Sequence, residues 1–182
     1  MQDGGGGAGP GGLAEGAAAE AAAAPGASVG ELCTFVDRAL EGMIAVVESL
    51  GDELASTAPA AGVNSPYALL THSLGVVGYW VGYVIGGRPV ERDREAELTA
   101  SGPVDELAAR ARAVLRGYRS DLAAFDPRAP LRGEPPGAWQ TSEPGLTCGG
   151  ALVHVLEEVA QHHGHAEITR DWLLARHRPA AG

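Results

Sequence analysis

Four long segments with a helical apolar repeat constrain the fold of this chain more than any other feature of its sequence. From about residue 28 onward an apolar residue recurs every three or four positions, which places one apolar stripe along each helix. The sequence holds no alternating polar and apolar run of useful length and no internal repeat. Helices of this kind bury their stripes against one another, so the pattern predicts an all-α four-helix bundle.

Residues that start or stop helices mark the ends of these segments. Ser28 can cap the first helix, and Glu31 three residues later completes a capping box. Ser65 followed by Pro66 starts the second helix, and Pro127 ends the third because proline cannot continue the hydrogen-bond ladder. The predicted helices span about 29–54, 64–85, 103–125 and 147–176. The Pro- and Gly-rich stretch 126–145 is longer than most bundle connections, and we interpret it as a long crossover that forms a short hairpin or a lid.

The first 27 residues differ in composition from the rest of the chain. They are almost all Gly and Ala, and Leu13 is their only large apolar residue apart from Met1. Such a segment cannot bury enough apolar surface to offset the entropy of ordering it, so we predict a disordered tail over 1–27. The folded domain is then predicted over 28–178.

The net charge, the cysteine content and the hydropathy limit which partners and which cellular compartment are expected. The net charge of −10 argues against nucleic acid or an anionic membrane as a partner. Cys33 and Cys148 form no CxxC or repeated spacing, which indicates neither a disulfide framework nor a thiolate zinc site and favours a cytoplasmic protein. The longest apolar stretch, 67–85, is interrupted by polar residues and glycines, so no membrane span is expected.

Histidines are concentrated in the last predicted helix. His154, Glu158, His162 and His165 are spaced i, i+4, i+8 and i+11, which places them on one stripe of that helix. The second helix adds His72 within an apolar stripe, where a buried imidazole needs a hydrogen-bond partner or a metal ion. Each of these side chains alone is more often a core or surface residue than a ligand, but the combination indicates a metal site.

Two ligands on adjacent turns of one helix, together with a third ligand from a facing helix, can bind one metal ion. Such a set leaves a coordination position open for water or substrate, as in catalytic zinc sites. Imidazole and carboxylate ligands suit Zn, Ni, Fe or Co. Spacing alone leaves all four residues of the last-helix stripe open as ligands. Glu157 and His163 are rotated away from that stripe and are expected on other faces.

Three segments resemble the DinB-like superfamily, and most closely its actinobacterial branch, which includes mycothiol-dependent enzymes such as the N-terminal part of mycothiol-dependent maleylpyruvate isomerase. They are the last helix over 152–171, the second helix over 65–80 and the charged link over 92–97. The sequence departs from the family pattern at Gly78, where an acidic residue is common, and at Gln161, where Arg is common. The isomerase carries a second, C-terminal domain, whereas this sequence ends at Gly182, so isomerisation of that kind is not expected.

The resemblance implies a DinB-like bundle with a divalent metal ion, usually zinc and sometimes nickel. Its metal ligands correspond to His72, Glu158 and His162. It also implies a low-molecular-weight thiol as co-substrate, mycothiol in the actinobacterial branch. The first functional hypothesis is therefore a metal-dependent thiol S-transferase that joins mycothiol to a small electrophile in detoxification or specialised metabolism.

Other residues near the predicted ligands receive supporting roles in this hypothesis. His165 and His154 are candidates for positioning a ligand or carrying a proton. Arg92 and Arg94 are candidates for contacts with an anionic part of the thiol or substrate. The aromatic residues expected to line the pocket that holds the thiol are Tyr79, Trp80 and Tyr83.

Two alternatives stay open on the sequence. The first is a thiol-independent hydrolase or isomerase that uses a metal-bound water on the same bundle. The second is a non-catalytic metal-binding or stress-response protein. The sequence also leaves open whether two bundles pair as a homodimer.

Overall fold

The computed structural model describes residues 27–123, 125–137 and 145–177. The predicted disorder of the N-terminal tail falls on residues outside these ranges, apart from Ala27. The helices are α1 (Val29–Ala55), α2 (Pro66–Val77), a π-helical segment that continues α2 (Gly78–Ile85), α3 (Arg94–Leu98), α4 (Val104–Asp121) and α5 (Cys148–Arg176). Among the described residues the one β-type pairing is an isolated bridge between Pro130 and Thr147.

Side-chain caps start the helices where the sequence predicts them. The capping box of α1 is formed, with the Glu31 amide donating to Ser28 Oγ at 3.2 Å and the Ser28 amide donating to Glu31 Oε2 at 2.7 Å. Ser65 caps α2 ahead of Pro66, and Thr147 caps α5. These caps satisfy backbone N–H groups that have no partner within the helix, which fixes where each helix begins.

The core lies between the four long helices. Helix α1 packs against α2, α4 and α5, and α2 packs against α4 and α5. Large apolar side chains with essentially no exposed surface fill the space between them; they include Leu40, Met43, Leu70, Leu107 and Leu152. The predicted all-α four-helix bundle is therefore confirmed, and the long connection is the one between α4 and α5.

The second helix is the most apolar one and runs through this core. Pro66–Ile85 is long and apolar enough to cross a membrane, with a mean hydropathy of 1.4, but 78% of its most apolar window is buried within the bundle. Burial against the other helices accounts for its composition. That neither a membrane nor nucleic acid is a partner stays a prediction.

The structure differs from the predicted elements at three places. The second helix changes to π-helical hydrogen bonding at Gly78, and the Gly86 amide donates to the Val81 carbonyl five residues earlier at 3.0 Å. The charged link forms the short helix α3, which Asp93 caps. Helix α4 ends at Asp121, a few residues before the predicted end at 125.

Candidate metal centre

His72 from α2 and Glu158 and His162 from α5 meet inside the bundle. One ligand atom from each lies within 4.8 Å of the other two. Glu158 Oε2 is 3.3 Å from His162 Nε2 and 4.0 Å from His72 Nε2. Two atoms that each lie about 2.1 Å from one tetrahedral ion are about 3.4 Å apart, so this spacing fits a shared metal ion. Of the four residues on the α5 stripe, Glu158 and His162 are the two that lie close enough to His72 to share a metal ion with it.

The three side chains differ in exposure, and this difference gives the site an open side. The His72 side chain is only 4% exposed, whereas the Glu158 and His162 side chains are 33% and 23% exposed. The cluster is thus closed on the α2 side and open on the α5 side. An incomplete ligand set that faces outward is typical of catalytic rather than structural metal sites.

Glu97 of α3 sets the orientation of His72. Its Oε2 lies 2.9 Å from His72 Nδ1 and accepts from that nitrogen in the Nδ1–H tautomer, in which the Nε2 lone pair is on the side of Glu158. Arg92 Nη2 lies 3.3 Å from the same Nδ1. Arg92 donates to both oxygens of the same carboxylate, through Nε at 2.9 Å and Nη2 at 3.0 Å. Glu97 is therefore held from two sides, and a carboxylate behind a histidine ligand is the arrangement that orients ligands in many metal sites.

A glycine on α2 makes room for this carboxylate. Gly75 lies one turn after His72, and a Cβ atom at that position would come within 1.9 Å of Glu97 Oε1. Any larger residue would displace the Glu97 carboxylate, since the two atoms cannot approach so closely. The absence of a side chain at Gly75 is thus a requirement for the contact between α3 and His72.

The surroundings keep both imidazoles neutral. Burial lowers the pKa of His72, although the hydrogen bond to Glu97 opposes this effect. Burial also lowers the pKa of His162, and the neighbouring His72 lowers it further. Neutral imidazole is the form that binds a metal ion, so ligand lone pairs are available at neutral pH.

A cavity of about 180 Å³ opens beside the cluster. Trp80 and Val76 supply apolar walls. The remaining lining is polar or comes from the long connection; it consists of His72, Arg92, Arg94, Pro136, His154 and Glu158. A concave space with a few convergent polar groups next to candidate ligands is the usual form of an active site.

The other predicted site residues fall at different distances from this cavity. His154 is buried against Trp80, with ring centroids 4.4 Å apart, and its Nε2 lies 3.9 Å from Glu158 Oε1. His165 is partly buried one turn beyond His162 and is not among the residues that line the cavity.

Tyr79 and Tyr83 contact the long connection instead of the cavity. The Tyr79 hydroxyl donates to the Glu134 carbonyl at 3.1 Å, and the Glu134 amide donates to the Tyr83 hydroxyl at 3.4 Å. The amides of Arg132 and Gly133 donate to the Val84 carbonyl. Residues 131–136 are thereby held across the π-helical segment, which brings Pro136 to the cavity.

Sequence reasoning missed Glu97, Gly75 and Pro136 as parts of the site. Glu97 and Gly75 both lie in segments that resemble the family, Gly75 in 65–80 and Glu97 in 92–97, but they come together only because α3 folds back onto α2. His163 is rotated away from the stripe as predicted, but it packs against Gly42 of α1 instead of facing solvent fully, with 27% of its side chain exposed.

The fold is that of a DinB-like four-helix bundle, and three of its side chains form a candidate metal site. The family model described as mycothiol-S-transferase matches residues 31–174. This match covers most of the chain, so the chain belongs to the mycothiol-S-transferase family.

Comparison with solved structures supports the fold alone. The chain is similar to a crystal structure described as the conserved protein of locus from Enterococcus faecalis, with a TM-score of 0.66 and 16% sequence identity. The similarity covers 82% of this chain and 99% of that one. No curated protein matches the sequence significantly.

The face assignment on α5 predicts which histidines control metal affinity. His72→Ala and His162→Ala should each abolish tight binding of a divalent metal ion, because each removes one of three ligands. His163→Ala should retain it, because His163 lies on the face toward α1. Metal content after dialysis and titration calorimetry measure the effect, with circular dichroism as a check on folding. Tight binding by the His162 variant would contradict the assignment and favour His154 as the ligand.

The contact between Gly75 and Glu97 predicts a second effect on the metal. Gly75→Ala should weaken metal binding about 10- to 100-fold, because the new Cβ displaces the carboxylate that orients His72. Gly78→Ala is a matched control on the same helix, since nothing lies within 4 Å of a Cβ there. Both changes replace glycine by a better helix former, so helix propensity does not separate them. Equal metal affinities of the two variants in calorimetry would show that Glu97 does not orient the ligand.

Proposed function

We propose that His72, Glu158 and His162 hold a divalent metal ion, and that the chain uses it to join mycothiol, through its sulfur, to a small electrophile. The convergence of these three side chains beside a cavity, in a chain of the mycothiol-S-transferase family, supports the proposal. Zinc is the proposed metal and nickel the second choice, because two imidazoles and one carboxylate suit both. A cytoplasmic location and homodimer formation stay predictions.

The reaction proposed is displacement or addition by sulfur. When bound, the ion supplies a positive charge that lowers the pKa of a thiol and makes thiolate available at neutral pH. With a haloalkyl acceptor a carbon–sulfur bond forms, the carbon–halogen bond breaks, and the halide leaves with the bonding electrons. The thiol proton passes to a base and then to solvent, so atoms and charges balance.

The side chains of the cavity are suited to accompany this step. Trp80 and Val76 provide apolar walls that limit the access of water to the reacting atoms. His154 is a suitable base because it lines the cavity and its Nε2 lies 3.9 Å from Glu158 Oε1. Trp80 packs against the His154 ring and restricts its orientation. We therefore assign proton transfer to His154 in preference to His165.

Thiol-dependent turnover tests the proposed function. Protein loaded with one equivalent of zinc should accelerate the reaction of mycothiol with a fluorogenic haloalkyl acceptor. Removal of zinc by a chelator should abolish the acceleration, and added zinc should restore it. Lack of thiol-dependent turnover by fully loaded protein across several electrophiles would contradict the proposal and favour the hydrolase, isomerase or non-catalytic alternatives.

The role of His154 predicts a separation between catalysis and metal binding. His154→Gln should lower kcat about 100-fold, as expected for the loss of a positioned proton acceptor, while metal content stays near one equivalent. The pH dependence of kcat should also lose one ionisation. His165→Gln, the control, should retain both kcat and the pH profile. The opposite pattern, with the loss confined to the His165 variant, would reverse the assignment.

A further inference from the structure

We propose that the electrophile used by this protein carries a carboxylate, and that Arg94 is the residue that binds it. This proposal rests on the proposed function, because it names the class of the second substrate.

The cavity differs in charge from the rest of the molecule. The chain has 13 basic and 23 acidic residues and a net charge of −10. Nevertheless, two guanidinium groups line the cavity, and among its described lining residues Glu158 is the one carboxylate. Guanidinium groups placed at one cavity of an acidic protein favour anionic ligands there.

Arg92 is committed to the protein and leaves little capacity for a ligand. Its guanidinium donates to both Glu97 oxygens and lies 5.7 Å from the centre of the Tyr79 ring. Its side chain is only 14% exposed. The carboxylate of Glu97 neutralises its charge, so Arg92 serves to hold the ligand His72 through Glu97.

The surroundings of Arg94 differ from those of Arg92. It is the first residue of α3, it is exposed, and it lines the mouth of the cavity. Within the described part of the chain it forms no hydrogen bond or ion pair. The carboxylate before it, Asp93, is used as the cap of α3 and accepts from the Ala96 amide at 3.0 Å. With respect to the described residues, the Arg94 guanidinium is therefore available to bind a group that enters the cavity.

With a metal ion and a thiolate bound, the charges at the site indicate that the group bound by Arg94 is negative. Glu97 offsets Arg92, and Glu158 together with a thiolate offsets a divalent ion. Among the described residues that line the cavity, the charge of Arg94 alone stays uncompensated, and an anionic acceptor would balance it. Pairing of that acceptor with Arg94 would be partly shielded from water by the cavity, which makes such a pair stronger than one on an open surface.

Carboxylate fits this position better than phosphate. One guanidinium presents two parallel N–H donors that match the two oxygens of a carboxylate. A phosphate dianion calls for more donors than one free arginine provides. The cavity volume of about 180 Å³ suits a small organic acid.

Chloroacetate and chloroacetamide form a matched pair of acceptors for a test, since they have the same size and differ in charge. We expect the zinc-loaded protein to accelerate the reaction of mycothiol with chloroacetate at least about 10-fold more than that with chloroacetamide, each relative to its uncatalysed rate. Arg94→Gln should remove this preference by lowering kcat/KM for chloroacetate only. Arg110→Gln, at an exposed position on α4, should behave as the original protein. Equal acceleration of both acceptors, or a preference retained by Arg94→Gln, would overturn the proposal.

A binding measurement keeps this test independent of turnover. Saturation-transfer NMR of chloroacetate with thiol-free, zinc-loaded protein should show a signal that Arg94→Gln loses and Arg110→Gln retains. If this result is obtained without any turnover, the proposed function fails while carboxylate binding by Arg94 stands. Equal signals from the Arg94 variant and the original protein would overturn carboxylate binding whether or not the transferase activity is found.

Discussion

The buried hydrogen bond between His72 Nδ1 and Glu97 connects the fold of this protein to its site. It fixes which nitrogen of His72 faces the α5 ligands, and it ties the short helix α3 to the core helix α2. The bond exists because Gly75 leaves space for the carboxylate and because Arg92 neutralises its charge. Without this anchor a neutral imidazole 3% exposed could turn either nitrogen toward the metal position, and the cavity would lose the wall that α3 provides.

Structural features that depend on local residue spacing could be predicted from the sequence. The caps at Ser28 and Ser65 and the i, i+4 pair on α5 are set within one or two turns, so the helix starts and the shared face could be predicted. The pairing of Glu158 and His162 with His72 was selected from four candidates by family resemblance, and the geometry brings the same three together. The domain boundaries and the roles assigned to individual residues stay predictions.

Features that depend on contacts between distant segments could not be predicted. Glu97 lies in a charged link that had the composition of a solvated loop, and only its packing against Gly75 shows its role. Helical periodicity does not reveal the π-helical segment, at whose end a Cβ on Gly86 would lie 2.6 Å from the Gly82 carbonyl oxygen. Two tyrosines expected at the pocket hold residues 131–136 instead, because the path of a long connection is set by tertiary contacts. Gln161, one departure from the family pattern, pairs with Glu157 on an exposed face.

The proposed site requires that two histidines and a glutamate from facing helices hold a divalent metal ion. Anomalous diffraction at the zinc edge, from crystals of the thiol-free protein loaded with one equivalent of zinc, locates that ion. We expect one strong anomalous peak about 2.0–2.2 Å from His72 Nε2, His162 Nε2 and a Glu158 oxygen. A peak at His154 or at a surface cluster, with none between these three side chains, would contradict it.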